Sequence, residues 1–304
     1  MKFSQKRKSV LKLPWLKGKG KYILLFLNGF ILALLAYFYV EDNYEKQLFK
    51  ALAAHVRSDI QPAAVDPNTS TDSTLIKSLH LVHFLEKNRA EVFGNYDVNG
   101  LKAQLIQPVT YDLMTGKQAC GGFTYVLGRL LSEMNVDVRF AQMKVNGQFG
   151  GHILLEAKTP QGWVVLDPSF NVYFKKPDGQ LASFSDVRSN WALYKQQLPA
   201  NYVMDYRYED VRYTNWDKIP VLMPFLKNII SWTAGKEKAE TYSFRNLVLR
   251  KFNFLFNVTL VIYLILMFIT IRSFVRQRKR ANSFTPELLF PKKTNSSQMA
   301  NTMA

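Results

Sequence analysis

The chain has 304 residues, enough for one or two domains, and a composition 48% hydrophobic and 14% aromatic supplies a sizeable core. Its net charge of +17 would suggest a nucleic-acid partner if it were spread over a domain, but residues 1–21 carry +8, residues 272–304 carry +6, and only +3 remains between them. Basic tails beside apolar runs are cytoplasmic flanks of membrane spans, not a face that grips phosphates, so nucleic acid is excluded as a partner.

The first basic tail leads into Tyr22–Val40, nineteen residues without a charge. At about 1.5 Å per residue a helix of that length just crosses a hydrocarbon core of about 30 Å. The basic segment before it is long for a signal peptide and no A-x-A site follows, so it reads as a retained anchor. Phe252–Ile271 is a second uncharged run, of twenty residues. Asn28, Asn253 and Asn257 are polar positions that a neighbouring helix can satisfy. Lys/Arg lie before the first run and after the second, which predicts a two-pass cell-membrane protein with both termini cytoplasmic. The segment between the spans is then periplasmic or extracellular.

Within that segment, 41–57 reads as a helix continuing from the span. Residues 58–74, rich in Pro, Asp, Ser and Thr, read as a linker, so 41–74 forms a juxtamembrane helix and linker. Asn68-Thr69-Ser70 matches a glycosylation sequon, relevant only in a eukaryotic secretory route. A core domain is expected over 75–184. Residues 185–251 form an aromatic-rich extension with Trp191, Tyr194, Tyr202, Tyr206, Tyr208, Tyr213, Trp216 and Trp232. These rings suit packing against the core and the membrane interface, with an aromatic wall for sugar or peptide as the alternative. Val221–Trp232 has the composition to lie flat on a bilayer, although Pro224 interrupts it.

The single cysteine, Cys120, excludes an intramolecular disulfide and a multi-cysteine zinc site. It precedes Phe123, Leu127, Leu130, Leu131 and Met134, which recur at helical spacing. A thiol in the first turn of that helix feels the positive end of the helix dipole. With a basic partner its pKa falls from about 8.5 to roughly 3.5–7.5. Gly121 and Gly122 leave room beside it for a substrate backbone. Three strand-like runs follow: 136–145, then 152–158 beginning with His152, then 162–168 containing Asp167, separated by Asn146-Gly147 and Pro160-Gln161-Gly162 turns. Neighbouring antiparallel strands set His152 beside Asp167, as a thiol–imidazole–carboxylate triad requires. Taken singly, each residue is ordinary: a cysteine in a core, a histidine at a strand edge, an aspartate in a turn. His80 and His83 lie three apart but lack a third ligand at suitable spacing, so no metal is expected.

Taken together, the blocks Gln118-Ala119-Cys120-Gly121-Gly122, Asn135-Val136-Asp137-Val138-Arg139, His152-Ile153-Leu154-Leu155-Glu156 and Gly162-Trp163-Val164-Val165-Leu166-Asp167-Pro168 resemble the transglutaminase-like superfamily, relatives of papain. The resemblance covers residues 110–172, about a fifth of the chain, with separations of thirty-two and fifteen residues between the three site positions. It departs from the family at Ile153, where Ala-Trp commonly follows the histidine, and at Gln118, where Gly is common.

The resemblance implies an α+β fold, a papain-type core of a helix packed on an antiparallel sheet, here set between two transmembrane helices. It implies catalysis by Cys120, His152 and Asp167 through a thioester acyl-enzyme, without a cofactor. The oxyanion hole would use the Cys120 backbone N–H and one side-chain donor, for which Gln107 and Gln118 are candidates. Peptide or amide bonds of cell-envelope material are the expected substrate, and water or an amine the acyl acceptor. The rival reading is a non-catalytic envelope scaffold that retains the fold.

Overall fold

The uncharged run that starts at Tyr22 does not end its helix at the first charge. Ala, Leu, Lys, Glu and Gln dominate the residues after Val40, and all are good helix formers. In the computed structural model, which describes residues 20–58, 67–93, 100–116, 119–246 and 249–283, helix α1 therefore runs unbroken over Gly20–Ser58. Both basic tails lie largely outside the described residues, as do 59–66 of the linker and Gln118.

The next helices are α2 (Pro67–Phe93), α3 (Leu101–Leu105), α4 (Val109–Thr115) and α5 (Ala119–Glu133). The stretch expected to be linker through Thr74 is thus helical from Pro67. Proline fits a first helical turn, and Leu75, Leu79 and Val82 bury a stripe that holds the helix despite its polar start. Strands β1 (Val138–Val145), β2 (Gln148–Thr159), β3 (Gly162–Asp167) and β4 (Val172–Tyr173) follow, then helices α6 (Phe184–Ser189) and α7 (Trp191–Tyr194), strand β5 (Val211–Arg212), and helices α8 (Leu222–Ala234), α9 (Lys236–Thr241) and α10 (Lys251–Ser283). The fold is α+β, with one five-stranded antiparallel sheet ordered β4-β3-β2-β1-β5.

The chain divides into two compact units. One comprises the described residues of Met1–Tyr37 and Phe256–Ala304. Its helical segments belong to α1 and α10, the two helices long and apolar enough to cross a membrane. Most of their large apolar side chains point outward, among them Phe26, Phe30, Ile265 and Phe268. Asn28 meets its polar demand inside this unit, donating to the Leu24 carbonyl at 2.7 Å and to the Thr270 hydroxyl at 2.9 Å.

The second unit is Phe38–Leu255, so the aromatic extension set off at residue 185 shares a body with the domain before it. One face of the sheet carries Phe140, Leu155, Ala157, Val164 and Leu166, packed with Leu127, Leu130 and Leu131 of α5, Leu75 and Leu79 of α2, and Phe49 of α1. The other face carries Ala141, Met143, Leu154 and Val165, covered by Phe184, Val187, Tyr194, Tyr202 and Tyr208. The aromatic stretch folds because it is the second cover of the sheet. Arg139 shows the same economy: its guanidinium lies 4.2 Å from the ring centroids of both Trp163 and Tyr213 and 2.7 Å from Glu156.

Two features set the position of the site. Gly128 lets α5 approach β1, since a Cβ there would lie 2.8 Å from the Phe140 ring. Asn146 and Gly147, both with positive φ, make the tight turn that pairs Val145 with Gln148. Strand β2 therefore starts at the turn, four residues before His152, instead of opening at the histidine.

Candidate active site

Cys120 is the second residue of α5, in its first turn, and its side chain is half-buried. Its place is fixed from inside the helix. The buried Thr124 hydroxyl donates to the Cys120 carbonyl at 2.7 Å and lies 3.0 Å from the Ile153 carbonyl of β2. The start of the helix is thereby tied to the strand residue next to His152.

His152 and Asp167 are almost fully buried, at 1% and 0% exposure. They are not directly opposed, as simple strand pairing predicts. Leu155 pairs with Leu166, so continuing the register sets Asp167 opposite Leu154. The two residues are diagonal neighbours on the face that also holds Leu154 and Val165, within reach of long side chains. Asp167 Oδ2 accepts a hydrogen bond from His152 Nε2 at 2.8 Å. Its Oδ1 accepts from the Ser169 backbone N–H at 3.1 Å, so both carboxylate oxygens are held. The turn after Asp167 is pinned by α2, where His80 Nδ1 lies 2.7 Å from Asn171 Oδ1 and His83 Nδ1 lies 2.9 Å from the Pro168 carbonyl. These two histidines brace the site from outside it.

The Nε2–Asp167 bond fixes the tautomer and leaves Nδ1 for the thiol, the reverse of the usual serine-protease assignment. Nδ1 is buried and makes no hydrogen bond of ordinary geometry among the described residues. Cys120 interacts with the imidazole at looser geometry, common in catalytic pairs without substrate. That pull is the main cause that lowers the thiol pKa below its ordinary value; burial opposes it, while the imidazolium charge and a backbone hydrogen bond from Ile153 add to it. For His152, burial alone would favour the neutral ring. The Asp167 charge and hydrogen bond, joined by Cys120, outweigh burial and push the pKa up to about 9. A lowered thiol beside a raised imidazole shifts the pair towards thiolate and imidazolium.

Two side chains that sequence reasoning did not single out for the site complete its walls. Tyr206 stacks on His152, with ring centroids 4.3 Å apart and planes 12° apart. Phe170 tilts against the same imidazole at 5.9 Å. Phe170 follows Asp167 by three residues, two beyond the end of the Gly162–Pro168 block. Tyr206 comes from the irregular stretch fifty-four residues beyond His152, where no periodicity marks it.

Of the two oxyanion candidates, Gln118 falls outside the described residues. Gln107 sits exposed before α4 with φ of 48°, and its carbonyl accepts a hydrogen bond from the Lys251 amine. No hydrogen bond joins its side chain to Cys120 or His152. The structure brings Cys120, His152 and Asp167 together, and among the described residues the hydrogen bond to the Gln107 carbonyl comes from Lys251.

No family model, curated protein or solved structure matches this chain.

Proposed function

We propose that the protein is a membrane-anchored cysteine enzyme of transglutaminase-like type, in which Cys120, His152 and Asp167 cleave or exchange peptide or amide bonds. The observation that carries the reading is the imidazole of His152, held by Asp167 through one nitrogen and offered to Cys120 through the other. The Cys120 thiolate attacks the amide carbonyl. His152 Nδ1–H then protonates the departing amine as the C–N bond breaks, leaving a thioester on Cys120. Water or a second amine gives up a proton to Nδ1 while attacking the thioester, and the thiolate is released. Asp167 keeps its charge throughout and holds the ring in one tautomer. Tyr206 and Phe170 cover the ring, so the acyl donor approaches from the cysteine side.

The papain-type core belongs to the same proposal, supported by a helix carrying the nucleophile on an antiparallel sheet carrying the base. So does the membrane orientation, with both basic tails cytoplasmic and the catalytic unit on the other side, facing envelope peptides or amides. Iodoacetamide tests the chemistry directly. The folded protein is expected to react at Cys120 at pH 7 on the order of tenfold faster than its His152→Ala variant, because the variant loses the imidazolium that stabilises the thiolate. A wild-type thiol that reacts only after denaturation, or as fast without His152, would leave the scaffold reading instead.

A further inference from the structure

Helix α8 is apolar nearly all the way round. Leu222–Ala234 contains Leu222, Met223, Phe225, Leu226, Ile229, Ile230 and Trp232, and its single charge is Lys227. One side is accounted for. Lys227 pairs with Glu240 at 2.7 Å and lies 5.9 Å from the Trp216 ring, while Met223, Leu226 and Ile230 are partly covered. On the other side Leu222, Phe225, Ile229 and Trp232 recur at i, i+3, i+7 and i+10, which is one stripe. Their exposures are 48%, 59%, 41% and 86%, and Val221 just before the helix is 83% exposed. Pro224, which in the sequence argued against such a helix, falls in the first turn, where its missing N–H has no intrahelical partner to lose.

We propose that α8 is an interfacial helix that lies in the plane of the bilayer, its Leu222–Phe225–Ile229–Trp232 stripe seated among lipid acyl chains and glycerol groups. This rests on membrane anchorage and is independent of the chemistry at Cys120. Three observations select lipid as the occupant. The chain carries two helices long and apolar enough to span a bilayer, and α8 ends seventeen residues before the second begins, so it stays close to the membrane by covalent tether. The stripe has no charge; its edges, Asn228 and Thr233, are polar and exposed. Lys218, Lys236 and Lys238 lie exposed just beyond the two ends, outnumbering the exposed Asp217 and Glu237 among them, a net positive flank suited to phosphodiester headgroups, and Trp232 is the ring type favoured at that depth.

The test uses the full chain with Cys120→Ser, reconstituted in vesicles of phosphatidylethanolamine and phosphatidylglycerol. A nitroxide is attached at Phe225→Cys, Ile229→Cys or Trp232→Cys, and at the exposed Asp178→Cys as a water reference. Trp232 is the safest site, because its side chain packs least. Power saturation is expected to give a ratio of oxygen to nickel-chelate access severalfold higher at all three stripe positions than at Asp178. Nickel access equal to that at Asp178 would mean the stripe faces water and would overturn the proposal. Low access to both reagents, with or without spin–spin broadening, would mean a protein covers it, a second copy or another chain, and would overturn it equally. Trp232 fluorescence, taken as wild type minus Trp232→Phe, should be quenched by brominated lipid; an unquenched difference signal counts against lipid contact without any label.

Discussion

The site centres on one buried imidazole, held by Asp167 at Nε2 and facing Cys120 through Nδ1 at looser geometry. Burial disfavours its proton, and Asp167, joined by Cys120, more than restores it, to a pKa of about 9. The direction sets a pH profile. In the proposed reaction, His152 below that value carries the proton that the leaving amine needs; above it the ring is neutral while Cys120 stays a thiolate. Amide turnover is therefore expected to fall as pH rises through about 9, while alkylation of Cys120 does not. Asp167→Asn removes the charge that sustains the imidazolium and should move the alkaline limb of turnover down towards neutral pH, with a loss on the order of 10²- to 10⁴-fold at pH 7. A variant with the wild-type alkaline limb would show that Asp167 does not act through the ring. At this scale the sequence was informative where chemistry is compressed into a short block. Gly162-Trp163 and Asp167-Pro168 fall within seven residues of one strand and its turn, whereas Tyr206 reaches His152 only through tertiary folding of a stretch without a repeat.

Elements were legible where their apolar period is strong. Leu127, Leu130, Leu131 and Met134 predict α5 because that stripe is buried in the core cluster shared with the sheet, and the Asn146-Gly147 turn marks the β1–β2 hairpin. Strands β4 and β5 are two residues each and exist only through pairing to β3 and β1, so no local signal marks them. Nor does the sequence reveal what the α2–α4 contact buries. Gly116 ends α4 with φ of 61°, and a Cβ there would lie 2.4 Å from the Glu86 carbonyl. That closeness leaves Glu86 fully buried, with both carboxyl oxygens unpartnered among the described residues, and Asp112 buried with its Oδ1 unpartnered. Burial, then the Asp112 charge, push Glu86 up to about 8 against the pull of Arg89; burial pushes Asp112 up to about 7 against Lys251. Both groups hold protons in the folded state that the unfolded chain has released, so stability falls as pH rises from the ordinary values of 4.5 and 3.8 towards 8. In detergent, the melting temperature is expected to drop over that window. Glu86→Gln should flatten the drop and gain on the order of 2 kcal/mol at pH 8. Parallel pH curves for the two proteins would show that Glu86 carries no such penalty.

At the scale of the whole molecule the order of elements matters more than any one of them. The compact unit Phe38–Leu255 is bounded in sequence by two apolar helical segments, each followed or preceded at its far end by a basic tail. In the proposed topology two crossings return the chain to its starting side, with the tails on one side and the body on the other. The Lys/Arg excess assigns the tails, in that proposal, to the cytoplasm. Exposed cysteines in a Cys120→Ser background report this: Asp178→Cys in the β4–α6 connection and Arg278→Cys beyond the second apolar run. A membrane-impermeant maleimide is expected to label Asp178→Cys in sealed right-side-out vesicles and Arg278→Cys only after they are opened. Inside-out vesicles should give the reverse. Equal labelling of both positions from one side would remove the second crossing, and a clean exchange of the two patterns would place the Cys120 site in the cytoplasm. The exchanged pattern, or equal labelling from the cytoplasmic side alone, would take envelope peptides out of reach of the thiol, even if its chemistry with His152 were intact.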